Sequence, residues 1–163
     1  MTNDVFSKTL EILSSKKLNV VDKDTERPWG GFFVISEDNA QDFTNIYFNG
    51  LNTEELKVSG KLSPKILIIA PKKRLSWQYH IRRKEIWKII KGEIKVVVSH
   101  DNVERKEKIL KKGDDINIYQ GQRHRIIGTN DYALVAEIWI HTVKESPSDE
   151  NDIVRVQDDF NRN

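Results

Sequence analysis

From Arg27 onward, apolar residues come in short runs broken by turn signals, and that pattern leaves few folds open. Gly30–Ile35 reads as a strand, and Lys65-Ile66-Leu67-Ile68-Ile69-Ala70 is an apolar strand ended by Pro71. Further strands are expected over residues 76–80, 85–90, 93–99, 115–119 and 124–127, with a long apolar one over 133–143. Residues 42–50, with Phe43, Ile46, Tyr47 and Phe48 ahead of Asn49-Gly50, are read within the same β-rich pattern, and 52–63 as a charged loop or short strand. Residues 103–110 alternate weakly, 144–150 look like loop, and 153–160 return as a strand or helix. Many short strands with regular turns favour an all-β sandwich or barrel. Ahead of them, residues 4–17 carry the rough apolar stripe of an amphipathic helix, and 21–26 read as a polar connector. The expected division is therefore 1–26, helix and connector, and 27–163, the β domain.

Composition removes several function classes. At 163 residues the chain is long enough for one well-packed core. Its 27 basic and 25 acidic residues leave a net charge of +2, so the general basic excess of a nucleic-acid binder is missing. There is no cysteine, which rules out disulfides and thiolate metal sites. No apolar stretch approaches a membrane span and the N-terminus lacks a signal-peptide core. A cytoplasmic protein is expected, with no nucleic-acid or membrane partner.

The chemistry concentrates in the run Leu75 to Trp87. Gln78 and His80 are two apart, so on a strand they share a face. Glu85 lies five further on, and His124 follows a turn-like Gly121-Gln122-Arg123. One amide oxygen, two imidazoles and a carboxylate make a workable ligand set for a divalent transition metal; zinc comes first, and iron, manganese, nickel and cobalt accept the same donors. The spacing also admits a polar barrel interior whose groups bond one another. Lys65, Arg83, Arg125 and Arg155 are candidate phosphate-binding cations, though in a chain that is 32% charged they also suit ordinary surface charge. Glu137, between Ala136 and Ile138 on an apolar strand, suits either an acid/base group with a raised pKa or a glutamate facing water. Arg27-Pro28-Trp29-Gly30 is read as structural, Trp77 and Trp87 as core aromatics, Arg82 and Lys84 as solvated, and His100 and His141 as lying off the motifs.

The chain resembles the cupins. Glu85 and Gly92 match the end of the first cupin motif, and Gly113, Gly121 and His124 match the second in register, with Tyr119 and Gly128 in place of its proline and asparagine. Gln78 stands where most cupins have histidine, as in the type II mannose-6-phosphate isomerase family. Arg27-Pro28-Trp29-Gly30, Lys65, Leu75-Ser76, Gln78, His80, Arg83, Glu85, Trp87, Gly121, His124-Arg125, Glu137, Asp152-Ile153-Val154-Arg155, Asp158-Asp159 and Arg162 are similar to that family in order and spacing. Ile138-Trp139 replaces its Val-Gln, and the stretch between Glu137 and Asp152 is longer. The resemblance implies a cupin double-stranded β-helix of jelly-roll type. It also implies a metal held by Gln78, His80, Glu85 and His124, with Glu137, Lys65 and Arg155 as catalytic residues. Lys65, Arg83, Arg125 and Arg155 would bind the substrate, a phosphorylated sugar. The activity implied is interconversion of mannose 6-phosphate and fructose 6-phosphate, in a homodimer. Two alternatives accompany it: isomerisation or epimerisation of another phosphorylated or nucleotide-linked sugar, and a non-catalytic sugar-binding cupin.

Overall fold

A computed structural model describes residues 2–162, with side chains described from Asp4 on. Helix α1 (Thr2–Ser15) leads into β1 (Val20–Arg27) and β2 (Gly30–Ile35). A short 3-10 turn, then α2 (Ala40–Tyr47) and α3 (Thr53–Leu56), precede β3 (Lys65–Ile69). The remaining strands are β4 (Trp77–Tyr79), β5 (Arg83–Lys91), β6 (Glu93–Ser99), β7 (Lys108–Lys111), β8 (Asp115–Ile118), β9 (Arg123–Gly128), β10 (Ala133–His141) and β11 (Val154–Gln157).

The strands form two antiparallel sheets, ordered β1-β2-β3-β10-β5-β8 and β11-β4-β9-β6-β7. Phe32, Leu67, Trp87, Ile89 and Val135 of the first sheet pack against Leu75, Ile94, Val96 and Ile126 from the second, so one core fills the jelly roll. A second core lies on the outer face of the six-stranded sheet. There Phe6 and Leu13 of α1 and Ala40 and Phe43 of α2 cover Phe33, Ile66, Ile68, Ala136 and Ile138. This covering explains why β3 and β10 are apolar on both faces, as strands buried on both sides must be.

Two segments differ from the sequence reading. Residues 21–26 are not a connector. They lie in β1, which pairs with β2 at the edge of the sheet, where polar side chains are tolerated because one face meets water. Residues 42–50 do not join a sheet: most of them belong to α2, which places Ala40, Phe43 and Thr44 at helical spacing on the sheet. Thr44 and Gln41 bond the Leu51 carbonyl, and Gln41 also accepts from Thr53, so polar residues tie the helix to the loop after it. Helix α1 packs on its own barrel, with Phe6 edge-on to Phe33.

Gly30 opens β2 at φ +137°, and a Cβ there would stand 1.9 Å from the Ile68 carbonyl oxygen on β3. Gly60 also has positive φ, +72°, but a Cβ would meet nothing within 4 Å. Gly60→Ala therefore carries the backbone penalty alone, about 1 kcal/mol, whereas Gly30→Ala must also push β2 off β3 and is expected to cost about 3 kcal/mol or more. Urea denaturation of the two variants checks the difference.

Candidate functional site

Strand register assembles the polar end of the barrel. Glu137 on β10 lies opposite Lys65 on β3 and Trp87 on β5, while Trp139 faces Glu85 and His141 faces Arg83. In the other sheet Gln78 pairs with His124 on β9 and with Arg155 on β11. Side chains alternate between the faces of a strand, so Lys65, Glu85, Trp87, Glu137 and Trp139 all enter the space between the sheets. Gln78, His80, Arg83, His124 and Arg155 line the same cavity, which measures about 90 Å³ and has room for several waters.

His80, Glu85 and His124 bring one donor atom each to within 4.8 Å of one another, and all three residues are buried. His80 Nε2 lies 3.2 Å from His124 Nε2 and 3.3 Å from Glu85 Oε2; His124 Nε2 is 3.7 Å from Glu85 Oε1. The other ring nitrogens fix the tautomers. His80 Nδ1 is 2.6 Å from the Asp152 carbonyl oxygen, and His124 Nδ1 is 2.9 Å from that of Gln122. A carbonyl only accepts, so both Nδ1 atoms carry protons and donate. Burial holds both imidazoles neutral. It lowers His80 to about 3, against the pull of Glu85 and with the help of Arg83, and it lowers His124 as well. Each Nε2 is then a lone pair, and the two lone pairs converge beside a carboxylate. That arrangement fits a divalent cation, and an Nδ1–H bonded to a backbone carbonyl is the usual outer support of a metal-bound histidine.

Glu85 is suited to be the anionic donor. Burial opposes its ionisation, but the Arg83 guanidinium beside it holds its carboxyl below the usual carboxylate range. Arg83 Nε donates to Glu85 Oε2 at 2.8 Å, and Trp87 Nε1 donates to Oε1 at 3.1 Å. Gln78 reaches the cavity from the strand beside His124, its Oε1 accepting from the Ser76 hydroxyl at 2.5 Å.

Glu137 is a second buried carboxyl with a different environment. Trp87 Nε1 donates to its Oε2 at 2.9 Å and Trp139 Nε1 to its Oε1 at 2.8 Å. Burial first, and then the negative Glu85, push it up to about 8, against the opposing pull of Lys65 and Arg83. Two carboxyls in one cavity are thus driven apart, one firmly ionised and one poised near neutrality, the pattern that separates a ligand from an acid/base group.

The cations fall into distinct surroundings. Lys65 is buried, with Nζ 3.7 Å from the Trp139 ring centroid and 5.0 Å from that of Phe32, and it pairs with Glu150. Arg83 lies over the same Trp139 ring, 3.5 Å from its centroid, and is committed to Glu85, to the Ser148 hydroxyl, to the Asp149 carbonyl and to His80 Nε2 at 3.2 Å. Arg155 lines the cavity on β11. Arg125 does not: its guanidinium is buried behind the sheet, donating to the Leu75 carbonyl, Glu104 and Gln157. The sequence grouped it with phosphate-binding cations because it follows His124, but on a strand adjacent residues point to opposite faces.

The family described as Mannose-6-phosphate isomerase C-terminal matches residues 38–158. The chain belongs to this mannose-6-phosphate isomerase C-terminal family, within the cupins. No curated protein matches it in sequence. Among solved structures it is similar to CapF bound to 3-isopropenyl-tropolone, with 14% identity and TM-score 0.56 over 86% of this chain and 34% of that one. Oxalate decarboxylase from Bacillus subtilis aligns at 13% identity and TM-score 0.57 over 83% of this chain and 30% of that one. KdgF from Halomonas sp. aligns at 11% identity and TM-score 0.51 over 76% and 90%. At these identities the likeness establishes the cupin fold. The chain spans about a third of the length of CapF and of oxalate decarboxylase.

Relative to this family's motif, the structure adds residues that the sequence did not single out. Arg27 and Arg162 line the cavity beside Arg155, although Arg27 was read as part of a structural block. Arg82 is part exposed rather than simply solvated: its Nη1 clamps Ser146 and Pro147 of the loop between β10 and β11. Trp87 is a core aromatic whose indole N–H also joins the two carboxyls. His141 is buried, accepting from the Ser148 amide at Nδ1 and lying 3.0 Å from the Ser63 hydroxyl at Nε2. A signal for Trp139 existed, since it departs from the family's glutamine.

Loss of the charged donor gives one test. Glu85→Gln is expected to weaken Zn²⁺ binding, measured by calorimetry on metal-stripped protein, by more than the roughly 10–100-fold that loss of an outer partner costs. A second test concerns pH. Burial, reinforced by Arg83, lowers His141 from 6.5 to about 4, so its stabilising contribution is complete above pH 6.5 and is lost as pH falls toward 4. In that window the unfolded chain takes up a proton that the folded one refuses, a difference on the order of 2–3 kcal/mol. His141→Gln lacks this titration, so the stability gap between wild type and variant is expected to narrow between pH 6.5 and 4 in urea melts.

Proposed function

We propose that the protein is a metal-dependent aldose–ketose isomerase that interconverts mannose 6-phosphate and fructose 6-phosphate. One observation carries the reading: a buried carboxyl poised near neutrality, Glu137, shares a small cavity with a His-Glu-His donor cluster and a buried lysine. Family membership supports the sugar-related assignment. His80, Glu85 and His124, with Gln78 beside them, would hold the ion. When bound, a divalent metal supplies Lewis-acid polarisation of the sugar carbonyl.

The chain's own residues account for the rest. Glu137 takes the proton from C2 of the aldose and returns it to C1 through an enediol, while the hydroxyl proton passes from O2 to O1 of the same sugar, so the step balances; the reverse direction uses the same groups. Its carboxyl suits both halves because its pKa lies close to the working pH, where acid and base forms are both accessible. The two indole N–H groups keep its oxygens oriented as the charge comes and goes. Lys65 and Arg155 anchor the phosphate, while Arg83 keeps Glu85 ionised and in place. The aromatic walls, Trp29, Phe32, Trp87 and Trp139, exclude water from the proton path.

A second reading, that the sugar is a different phosphorylated one, is favoured by Trp139 and by the long loop after β10, which bring a bulky ring and Glu150 into the cavity wall. A coupled assay on metal-stripped protein, with single metals added back, tests the substrate: turnover of mannose 6-phosphate is expected, and its absence with every metal moves the reading to other sugars or to a binding role. Glu137→Gln is expected to lower kcat by about 10²–10⁴-fold while leaving sugar-phosphate binding in place. Wild-type turnover in Glu137→Gln would instead remove Glu137 from the role of base and leave a hydride shift as the route.

A further inference from the structure

Lys65 is a buried cation held by an exposed anion. Its side chain is 5% exposed and lies between the rings of Trp139 and Phe32, whereas that of Glu150, its ion-pair partner, is 50% exposed. Desolvating an ammonium costs free energy unless an anion accompanies it, so Lys65 requires a carboxylate or phosphate at its tip. Glu150 makes no matching demand, because its carboxylate is half solvated wherever it points.

The backbone that carries Glu150 is fixed on both sides. Upstream, Arg82 and Arg83 bind the carbonyls of Ser146, Pro147 and Asp149. Downstream, the Asp152 carboxylate accepts from the amides of Ile81 and Arg82 and from the Ser148 hydroxyl. The loop therefore need not open for Glu150 to leave Lys65. Rotation of one long side chain toward solvent is enough, and an exposed glutamate gives up little by making it. Both Glu150 and Lys65 line the cavity that contains the donor cluster, so the point Glu150 occupies lies within the ligand's reach.

We propose that Glu150 is a gate: its carboxylate stands on Lys65 where the ligand's own oxyanion binds, and a ligand enters by displacing it. The inference rests on the sugar-phosphate reading for the identity of the ligand, but the exchange requires only a compact oxyanion. It makes Glu150 a specificity-determining residue. A neutral sugar cannot take over the lysine and is refused, while a phosphate, with more charge and more acceptor oxygens than a carboxylate, outcompetes the side chain.

The test measures binding of inorganic phosphate, and separately of mannose 6-phosphate, to the full chain by calorimetry. Glu150→Gln and Glu150→Asp are compared with wild type, and Asp149→Asn serves as the control for a charge removed one residue away. Removing the competitor is expected to tighten phosphate binding about three- to tenfold in E150Q, the range that a partly exposed ion pair can account for. E150D keeps the charge but falls a methylene short of Lys65, and is expected to tighten binding as well; D149N is expected to stay within about twofold of wild type. Equal or weaker phosphate binding in E150Q overturns the gate, and so does tightening in D149N matched by no change in E150D, which would mark a general charge effect. If E150Q binds phosphate more tightly while mannose 6-phosphate is neither bound nor turned over, the gate stands and the substrate assignment fails.

Discussion

The cavity is organised around the buried carboxylate of Glu85. An ionised group this deep is tolerated only when its charge is met from several directions, because burial alone would cost more than a domain's whole stability margin. Arg83 meets it with a short charge-assisted bond and Trp87 with an indole N–H, while the two imidazoles turn Nε2 toward it. Each partner has a further role because of it. Arg83 is drawn inward and stacks on Trp139, Trp87 is turned so that the same N–H reaches Glu137, and the histidines direct Nε2 to a common point. Glu137 then feels an immobile negative neighbour, which adds to burial in raising its pKa. One ionised carboxylate thus reinforces what burial does to the other.

How much of this was legible follows from the range of the interactions involved. The continuous apolar runs of β3 and β10, the short runs of the second sheet and the convergence of Gln78, His80, Glu85 and His124 on one cavity are readable because each depends on spacing within one or two neighbouring strands. The pairing of Gln78 with His124 is a register fact, yet the cupin motif encodes it. Glu137 was readable as a strand position, with an acid/base group of raised pKa and a glutamate facing water left as alternatives. Its entry into the cavity depends on the register of β10 against β3 and β5, and the cover over the opposite face went unread because Phe43, Tyr47 and Phe48 suit a strand as well as a helix. Arg125 was misplaced for the complementary reason: its neighbour His124 carried the motif, and strand alternation sends the two side chains to opposite sides.

The loop after β10 lies beyond such reasoning. Nothing in Glu145-Ser146-Pro147-Ser148-Asp149-Glu150 signals that Arg82, Arg83, His141 and Asp152 will all bond to it, because those partners are 4 to 67 residues away in sequence and converge only in the folded barrel. The composition of the loop looks like a solvated linker, and polar side chains exposed in an isolated segment become buried partners in the assembled one.

Trp139 connects the parts. It replaces a glutamine in the family pattern, whose amide offers hydrogen bonds but no aromatic face on which a cation can rest. The indole instead offers two kinds of surface at once. Its face accepts Lys65 and Arg83, each with the cation within 4 Å of the ring centroid, and its edge donates to Glu137. Two like charges are thereby held near one another without being paired to the same carboxylate, which leaves Lys65 to an exchangeable partner and Arg83 to Glu85. A rigid aromatic between them also lowers the entropy lost when a ligand arrives, since neither long side chain has to be ordered at that moment.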